Sequence, residues 1–300
     1  TTGETLDLST KVSNAKGTVT YEIKEGGNGT TTPSTLSGSN LTAGAMSTDN
    51  DNDQTVVVTV TDPGDANYAS GSKDLTITVQ KKDNTMTAKN GSVKVGSTTA
   101  LSTFVENNNG GTTLSATKGT DNEGGTTKGS VLGTNFVAGT LAANDDDDKT
   151  VSLTITAPST TTVKEKSVEV TVTVQKYTRT LTFTKPTSTT LKYNATTTAE
   201  VSISGTGGTA SSYATFTSGT PANISVTAVA NTNTATLKAL KGAGSSVITA
   251  TLAGTETVKA ATATTTITAE KTDNPMTVTN ATMTTGETLD LSTKVSNAKG

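Results

Sequence analysis

The sequence predicts an all-β protein made of several small β-sandwich domains, and three observations lead to this prediction. Threonine, which is β-branched and favours strands, supplies about a quarter of the residues. Large aromatic side chains are scarce, with four Phe, five Tyr and no Trp in 300 residues, so several small aliphatic cores are expected instead of one large core. The seventeen residues TTGETLDLSTKVSNAKG occur twice without a substitution, at Thr1–Gly17 and Thr284–Gly300.

The two identical copies lie 283 residues apart, and this period divides into three parts. The lysines at 81, 176 and 271 follow similar strand endings and are 95 residues apart. The sequence therefore predicts three domains of about 95 residues and the start of a fourth. Their predicted ranges are 1–81, 82–176, 177–271 and 272–300.

Strands are predicted from apolar residues that alternate with polar ones, the pattern of a sheet with one wet face. The last strand of the first domain has Leu75, Ile77 and Val79 in alternation, and earlier strands are indicated at Thr55–Thr61, Thr150–Thr156 and Ser246–Leu252. Gly, Asn and Asp clusters separate them, and no stretch shows sustained helical periodicity. About seven short strands in 95 residues are typical of an Ig-like sandwich. We therefore expect tandem Ig-like sandwiches, arranged end to end as an elongated rod.

The first domain lacks the opening strand that its repeat pattern calls for, and Thr272–Met283 corresponds to that strand. One explanation is that the chain is a section of a longer array. The other is donor-strand exchange, in which the C-terminal segment completes the first domain of a neighbouring copy. A donated Thr284–Gly300 would compete with Thr1–Gly17 for one place, which favours the section of an array.

The motifs of these units resemble those of the bacterial Ig-like domains that occur in tandem on surface proteins and adhesins. The resembling segments are GDANYASGSKDLTITV at Gly64–Val79, GTVTYEI at Gly17–Ile23, DNPMTV at Asp273–Val278 and LKGAGSSVITATLAG at Leu240–Gly254. The second predicted domain departs from the pattern, because it has Gly-rich inserts and no equivalent of the DANY motif. The resemblance implies a secreted, surface-anchored protein without enzymatic activity.

Two acidic turns are the candidate metal sites. DNDND at Asp49–Asp53 and NDDDD at Asn144–Asp148 both directly precede a central strand. Alternating carboxylates on a tight turn can bring several hard oxygen ligands to one cation, and calcium accepts six to eight such ligands. The alternative is a solvated acidic loop that keeps a sheet edge soluble. If a metal binds, the expected ion is calcium and the expected ligands are Asp49, Asp51, Asp53, Asp145, Asp146, Asp147 and Asp148.

Composition argues against several classes of function. The chain has no His and no Cys, which removes the commonest general base, the thiol nucleophile and nearly every zinc site. The carboxylates lie in Gly/Asn-rich turns without Trp, unlike the cleft of a glycosidase. A net charge of −3 gives no basic footprint for nucleic acid, and no apolar run is long enough to span a membrane. We expect no enzyme and no required cofactor.

The expected function is mechanical, as a spacer segment of a bacterial cell-surface stalk or extracellular fibre. Its expected partners are neighbouring copies of itself in a tandem array or fibre. Two alternatives stay open: a subunit that assembles into filaments by lateral or donor-strand association, and an adhesin that binds carbohydrate or protein. The Gly-rich inserts at Asn107–Thr113 and Gly119–Ser130 would form the contact of such an adhesin. A Lys–Asn isopeptide cross-link is a further possibility, for which the sequence nominates no residues.

Overall fold

The computed structural model describes residues 1–26, 31–121, 129–205 and 213–299, the side chains at 120 and 121 excepted. The described residues form strands, turns and three short 3-10 helices, with no α-helix. The predicted all-β class is therefore confirmed. No helix in this part of the chain is long and apolar enough to cross a membrane.

The chain forms two compact units. The first comprises Thr1–Ala142 and Asp147–Lys176, and the second comprises Ala143–Asp146 and Tyr177–Gly300. The domain boundaries drawn from the repeat stay predictions. We use first, second and third repeat for residues 1–81, 82–176 and 177–271.

The first repeat folds as two three-stranded sheets, which pack on each other through the alternating apolar residues seen in the sequence. One sheet has the order β1-β4-β3 and the other β2-β5-β6, and all neighbouring strands are antiparallel. The 3-10 helix Leu8–Lys11 follows β1 directly. The strands are β1 (Thr5–Asp7), β2 (Thr20–Gly26), β3 (Thr35–Ser37), β4 (Asn40–Thr42), β5 (Gln54–Asp62) and β6 (Gly71–Val79).

The second repeat has the same plan with one additional strand in its larger sheet. The sheets have the orders β11-β14-β15-β8 and β12-β13-β9, and a short antiparallel pair joins β7 to β10. The additional strand β8 runs parallel to β15, with Val172 opposite Gly91 and Val174 opposite Val93. The strands are β7 (Thr87–Ala88), β8 (Gly91–Lys94), β9 (Thr98–Ala100), β10 (Val105–Glu106), β11 (Ser115–Asp121), β12 (Gly129–Leu132), β13 (Asn135–Ala138), β14 (Lys149–Ala157) and β15 (Lys166–Gln175).

The third repeat lies in the second unit and has two four-stranded sheets, of order β16-β18-β21-β20 and β17-β23-β22-β19. Its β17 is parallel to β23, as β8 is to β15. The strands are β16 (Thr180–Lys185), β17 (Thr190–Lys192), β18 (Thr196–Ser204), β19 (Thr215–Ser218), β20 (Ile224–Ala228), β21 (Thr234–Ala239), β22 (Ser245–Leu252) and β23 (Ala261–Glu270). Beyond them, β24 (Thr277–Val278) pairs with β25 (Val295–Ser296).

Each repeat has a small core of its own. The first is built around Leu8, Leu41, Met46, Val56 and Val58, all buried. In the second repeat, Phe104 and Phe136 are buried and meet edge to face with ring centroids 6.4 Å apart, a favourable arrangement for two aromatic rings. The core of the third repeat is mostly aliphatic and includes a partly exposed Phe183 against a buried Phe216. Separate small cores are what the scarcity of aromatic residues predicts.

Candidate functional site: the junction between the first and second repeats

The turn between the last two strands of the second repeat lies against the first repeat and the connecting segment. Backbone hydrogen bonds hold it there: the Met46 amide donates to the Thr161 carbonyl over 3.1 Å, and the Lys82 amide donates to the Thr162 carbonyl over 2.8 Å. The Lys164 amide in turn donates to the Lys82 carbonyl over 2.9 Å. Lys82 and Val163 thereby form a parallel β-bridge. Backbone pairing of this kind sets the position of one repeat against the next, because each bond has a defined direction.

A buried ion pair lies beside these backbone bonds. The Lys81 side chain is 0% exposed, and its Nζ lies 2.8 Å from Oδ1 of Asp51. The same Nζ donates to Oγ of Ser159 in the second repeat over 2.6 Å. Ser159 donates to Oδ1 of Asp51 over 2.6 Å, and the Glu165 amide donates to the other carboxylate oxygen over 2.8 Å. We call this group of Lys81, Asp51, Ser159 and the Glu165 amide the junction clamp.

The junction clamp keeps Asp51 ionised. Partial burial of the carboxylate would raise its pKa, but hydrogen bonds from Lys81, Ser159 and the Glu165 amide outweigh this effect. The pKa of Asp51 therefore lies below its ordinary value of 3.8. An ionised Asp51 in turn supplies the negative charge that a buried lysine needs, since an unpaired charge is costly to remove from water.

An open cleft of about 690 Å³ lies next to the junction clamp. Its lining includes Asp49, Asp51 and Glu165, together with Pro158 and Ser159. In the described part of the chain, no three His, Cys, Asp or Glu side chains form a group that could hold a metal ion. The cleft is acidic and polar.

The same contact recurs within the second unit, 95 residues further along the chain. The Ala260 amide donates to Oδ2 of Asp146 over 2.8 Å, as the Glu165 amide does to Asp51. Tyr177 forms a parallel bridge with Val258, as Lys82 does with Val163. The Tyr177 amide donates to the Thr257 carbonyl over 2.9 Å. The recurrence shows that the acid and the bridge belong to the repeat and are not particular to one place.

The predicted calcium ligands are distributed among separate contacts. Asp53 accepts a hydrogen bond from the Gln80 side chain, and Asp148 accepts the equivalent bond from Gln175 over 2.6 Å. The remaining predicted ligands lie on the same two turns: Asp49 beside the cleft, Asp51 in the junction clamp, Asp146 on the Ala260 amide, and Asp145 and Asp147 flanking Asp146. Calcium binding by these residues stays a prediction from the sequence.

Sequence reasoning did not predict the role of Lys81, Ser159 or Glu165. In the sequence, Lys81 only marks the 95-residue period. The period nevertheless indicates the pairing of a lysine with an acid. A lysine and an acid recur together in the first two repeats, as Lys81 with Asp51 and Lys176 with Asp146. In the third repeat the position of that acid is Lys241, so the pair is absent there.

Comparison with known proteins gives matches to solved structures only. No protein-family model and no curated protein matches the chain. The structures it resembles include "Protocadherin Gamma B2 extracellular cadherin domains 3-6", with 12% identity, a TM-score of 0.26, and coverage of 85% of this chain and 68% of that one. Titin domains I67–I69 match with 10% identity, a TM-score of 0.28, and coverage of 87% and 89%. The endo-fucoidan hydrolase MfFcnA4 matches with 14% identity, a TM-score of 0.22, and coverage of 87% and 39%. Because these TM-scores are below 0.5, the fold is assigned from the sheets of this chain.

Proposed function

We propose that this chain is a spacer segment of a long bacterial cell-surface stalk or extracellular fibre, without enzymatic activity. The observation that carries the proposal is the junction between the first and second repeats. Side-chain and backbone bonds there join two sandwiches that each have their own core, and the bridge and acid contact recur 95 residues later. A chain built this way gains length by adding repeats, and no repeat needs a larger core.

A spacer needs successive domains to keep a defined direction. The junction clamp supplies this direction. Its ion pair joins the buried Lys81 to Asp51, and Asp51 also accepts the Glu165 amide, so the junction resists bending more than a flexible linker does. The bacterial and extracellular parts of the proposal rest on the resemblance of the sequence motifs. The adhesin alternative depends on the Gly-rich inserts, and residues 122–128 of these lie outside the described residues.

Small-angle X-ray scattering with sedimentation velocity tests the proposal at low micromolar concentration. Strands of nine residues rise about 30 Å, so three sandwiches in line span roughly 100 Å. A rod of that length has a radius of gyration of about 29 Å, whereas a compact 300-residue globule has about 19 Å. A monomer near the larger value supports the spacer. A value near 19 Å, or a stable oligomer at this concentration, would overturn it.

A further inference from the structure

In both the second and the third repeat, an early edge strand runs parallel to the last strand of the repeat. Gly91–Lys94 (β8) lies beside Val172–Gln175 of β15, and Thr190–Lys192 (β17) lies beside Thr268–Glu270 of β23. All other pairs between the described strands of these two repeats are antiparallel. The parallel pair is therefore a feature that the two repeats share.

A parallel pair of this kind determines how tension acts on a repeat. The chain enters β8 at the N-terminal end of the ladder and leaves β15 at its C-terminal end. Because the two strands run in the same direction, these two points lie at opposite ends of the ladder. Tension on the chain therefore slides β8 along β15 and loads all the hydrogen bonds of the ladder together. A pull across the strands would break the same bonds one after another.

Side chains extend the ladder of β8 and β15 at both of its ends. Before β8, Oδ1 of Asn90 accepts a hydrogen bond from the Thr171 amide over 2.9 Å. At the other end, Nζ of Lys94 donates to the Lys176 carbonyl over 3.1 Å, just beyond the end of β15. The two strands therefore resist sliding over a longer stretch than their four paired positions.

The ladder of β17 and β23 is extended in a similar way. Before β17, the Thr189 carbonyl accepts a hydrogen bond from the Thr268 amide over 2.8 Å. At the other end, Nζ of Lys192 donates to Oδ2 of Asp273 over 2.7 Å, beyond the end of β23. Lys94 and Lys192 thus have corresponding places, because each is the last residue of the parallel strand and bonds to the segment that follows the last strand.

We propose that this protein carries tension along its chain and that these two ladders, with their side-chain bonds, resist it. We call them the shear ladders. The force enters and leaves each repeat through the chain itself, so this function needs no ligand. The inference goes beyond the proposed spacer function, because a spacer needs a fixed direction whereas a tether needs resistance to stretching.

The bonds of a shear ladder should control the rate at which its repeat opens under force. Forced unfolding is governed by the unfolding rate, and that rate responds to the interactions that are lost in the transition state. When β8 slides off β15, the ladder bonds are lost first, while the antiparallel pair of β14 and β15 is still intact. A bond removed from the ladder should therefore speed opening, and a similar bond removed between β14 and β15 should not.

Single-molecule force spectroscopy on the full chain, held by its two ends at constant force, tests the proposal. Asn90→Ala combined with Lys94→Met removes both side-chain bonds of the β8 ladder. Each hydrogen bond removed should change the rate about fivefold, so one repeat should open at least about tenfold faster than in the wild type. An unchanged opening rate in this variant would overturn the inference.

Thr156→Val is the matched control for this variant. It removes an exposed hydrogen bond between the hydroxyls of Thr156 and Ser167, which joins β14 to β15 and lies outside the shear ladder. The opening rate at constant force should change by less than about twofold. If the control speeds opening as much as the ladder variant does, the ladder does not control the rate and the inference is wrong.

The direction of pull gives a second measurement that removes no ladder bond. The chain has no cysteine, so handles can be attached at chosen positions. Handles on Ser92→Cys and Thr173→Cys, which lie opposite each other, pull β8 across from β15. The ladder should then open at a force at least about twofold lower than when the same chain is held by its ends, because its bonds break in turn. Equal forces in the two directions would show that sliding of the ladder is not what resists tension.

Failure of this inference can be told apart from failure of the proposed function. A compact shape in scattering would overturn the spacer, whereas the force measurements concern the bonds inside one repeat. Urea unfolding checks that the ladder variant and its control fold. If the ladder variant does not fold, the comparison of the two pulling directions decides the question by itself.

Discussion

Replacing Asp51 with alanine is the sharpest test of the junction clamp. The change leaves the Lys81 ammonium buried with only the Ser159 hydroxyl as a partner, and it leaves the Glu165 amide without its acceptor. The three cores are not touched, because Asp51 lies on a loop between β4 and β5. We therefore expect the cost to fall on the contact between the first and second repeats.

The magnitude follows from the burial of the pair. Removing one partner of a buried ion pair costs about 3–5 kcal/mol. The Asp51 side chain is 35% exposed, so water replaces part of what is lost. We expect a cost of about 2–3 kcal/mol, which corresponds to roughly a hundredfold change in the equilibrium between closed and open junction.

Hydrogen exchange and urea unfolding measure this cost. The Lys82 amide donates across the junction, so its exchange should accelerate by about two orders of magnitude in Asp51→Ala. Asp53→Ala is the matched control, because Asp53 lies on the same turn but its bond to Gln80 is exposed. This variant should lower the free energy of unfolding by less than about 1 kcal/mol. A Lys81→Met chain should lose little more when Asp51→Ala is added. Equal effects of the two Ala variants, or full additivity with Lys81→Met, would refute the clamp.

Three further predictions concern pH, burial and calcium. The pKa of Asp51 is lowered in the folded protein, so the stabilising effect of its charge is present above the unfolded pKa and is lost as the pH falls through the folded pKa. The difference in free energy of unfolding between the wild type and Asp51→Asn should therefore shrink below about pH 4. A difference that stays constant down to about pH 2 would contradict this. Leu8→Ala should lower the free energy of unfolding by about 2–5 kcal/mol in calorimetry, and Leu291→Ala by less than about 0.5 kcal/mol. The two leucines lie in identical local sequences, but the Leu8 side chain is 0% exposed and that of Leu291 is 70% exposed. Similar costs for the two variants would contradict this difference in burial. If the acidic turns bind calcium, millimolar calcium should raise the melting midpoint and a chelator should reverse this, and an unchanged midpoint removes the calcium proposal.

The strands were largely predictable because their signal is local and periodic. The segment predicted at Thr55–Thr61 is β5, Gln54–Asp62, and that at Thr150–Thr156 is β14, Lys149–Ala157. Alternation shows which residues can face a core, and the buried Val56 and Val58 follow it. The larger sheet of the first repeat has three strands and that of the second repeat has four.

The junction clamp was not predictable to the same degree. The acidic turns were singled out as chemistry-bearing, and calcium was the partner suggested for Asp51. The sequence did not predict that Asp51 also bonds to Lys81, 30 residues away, and to Ser159, 108 residues away. Contacts at such separations depend on how two sandwiches pack, and no periodicity within a strand encodes this. The sequence indicates the clamp only through a lysine and an acid that recur together 95 residues apart.

The duplicated seventeen residues separate what sequence and tertiary structure each determine. In both copies an aspartate caps a 3-10 helix, with Asp7 accepting from Ser9 and Asp290 from Ser292 at 2.9 Å, and the asparagines at 14 and 297 have φ of 62° and 60°. These features are the same because they depend on hydrogen bonds and sterics within a few residues. In the first copy Thr5–Asp7 pairs with β4 and Leu8 is fully buried, whereas in the second copy Leu291 is exposed. Burial differs because it needs partner strands from elsewhere in the chain, as β4 is the partner of Thr5–Asp7 in the first copy.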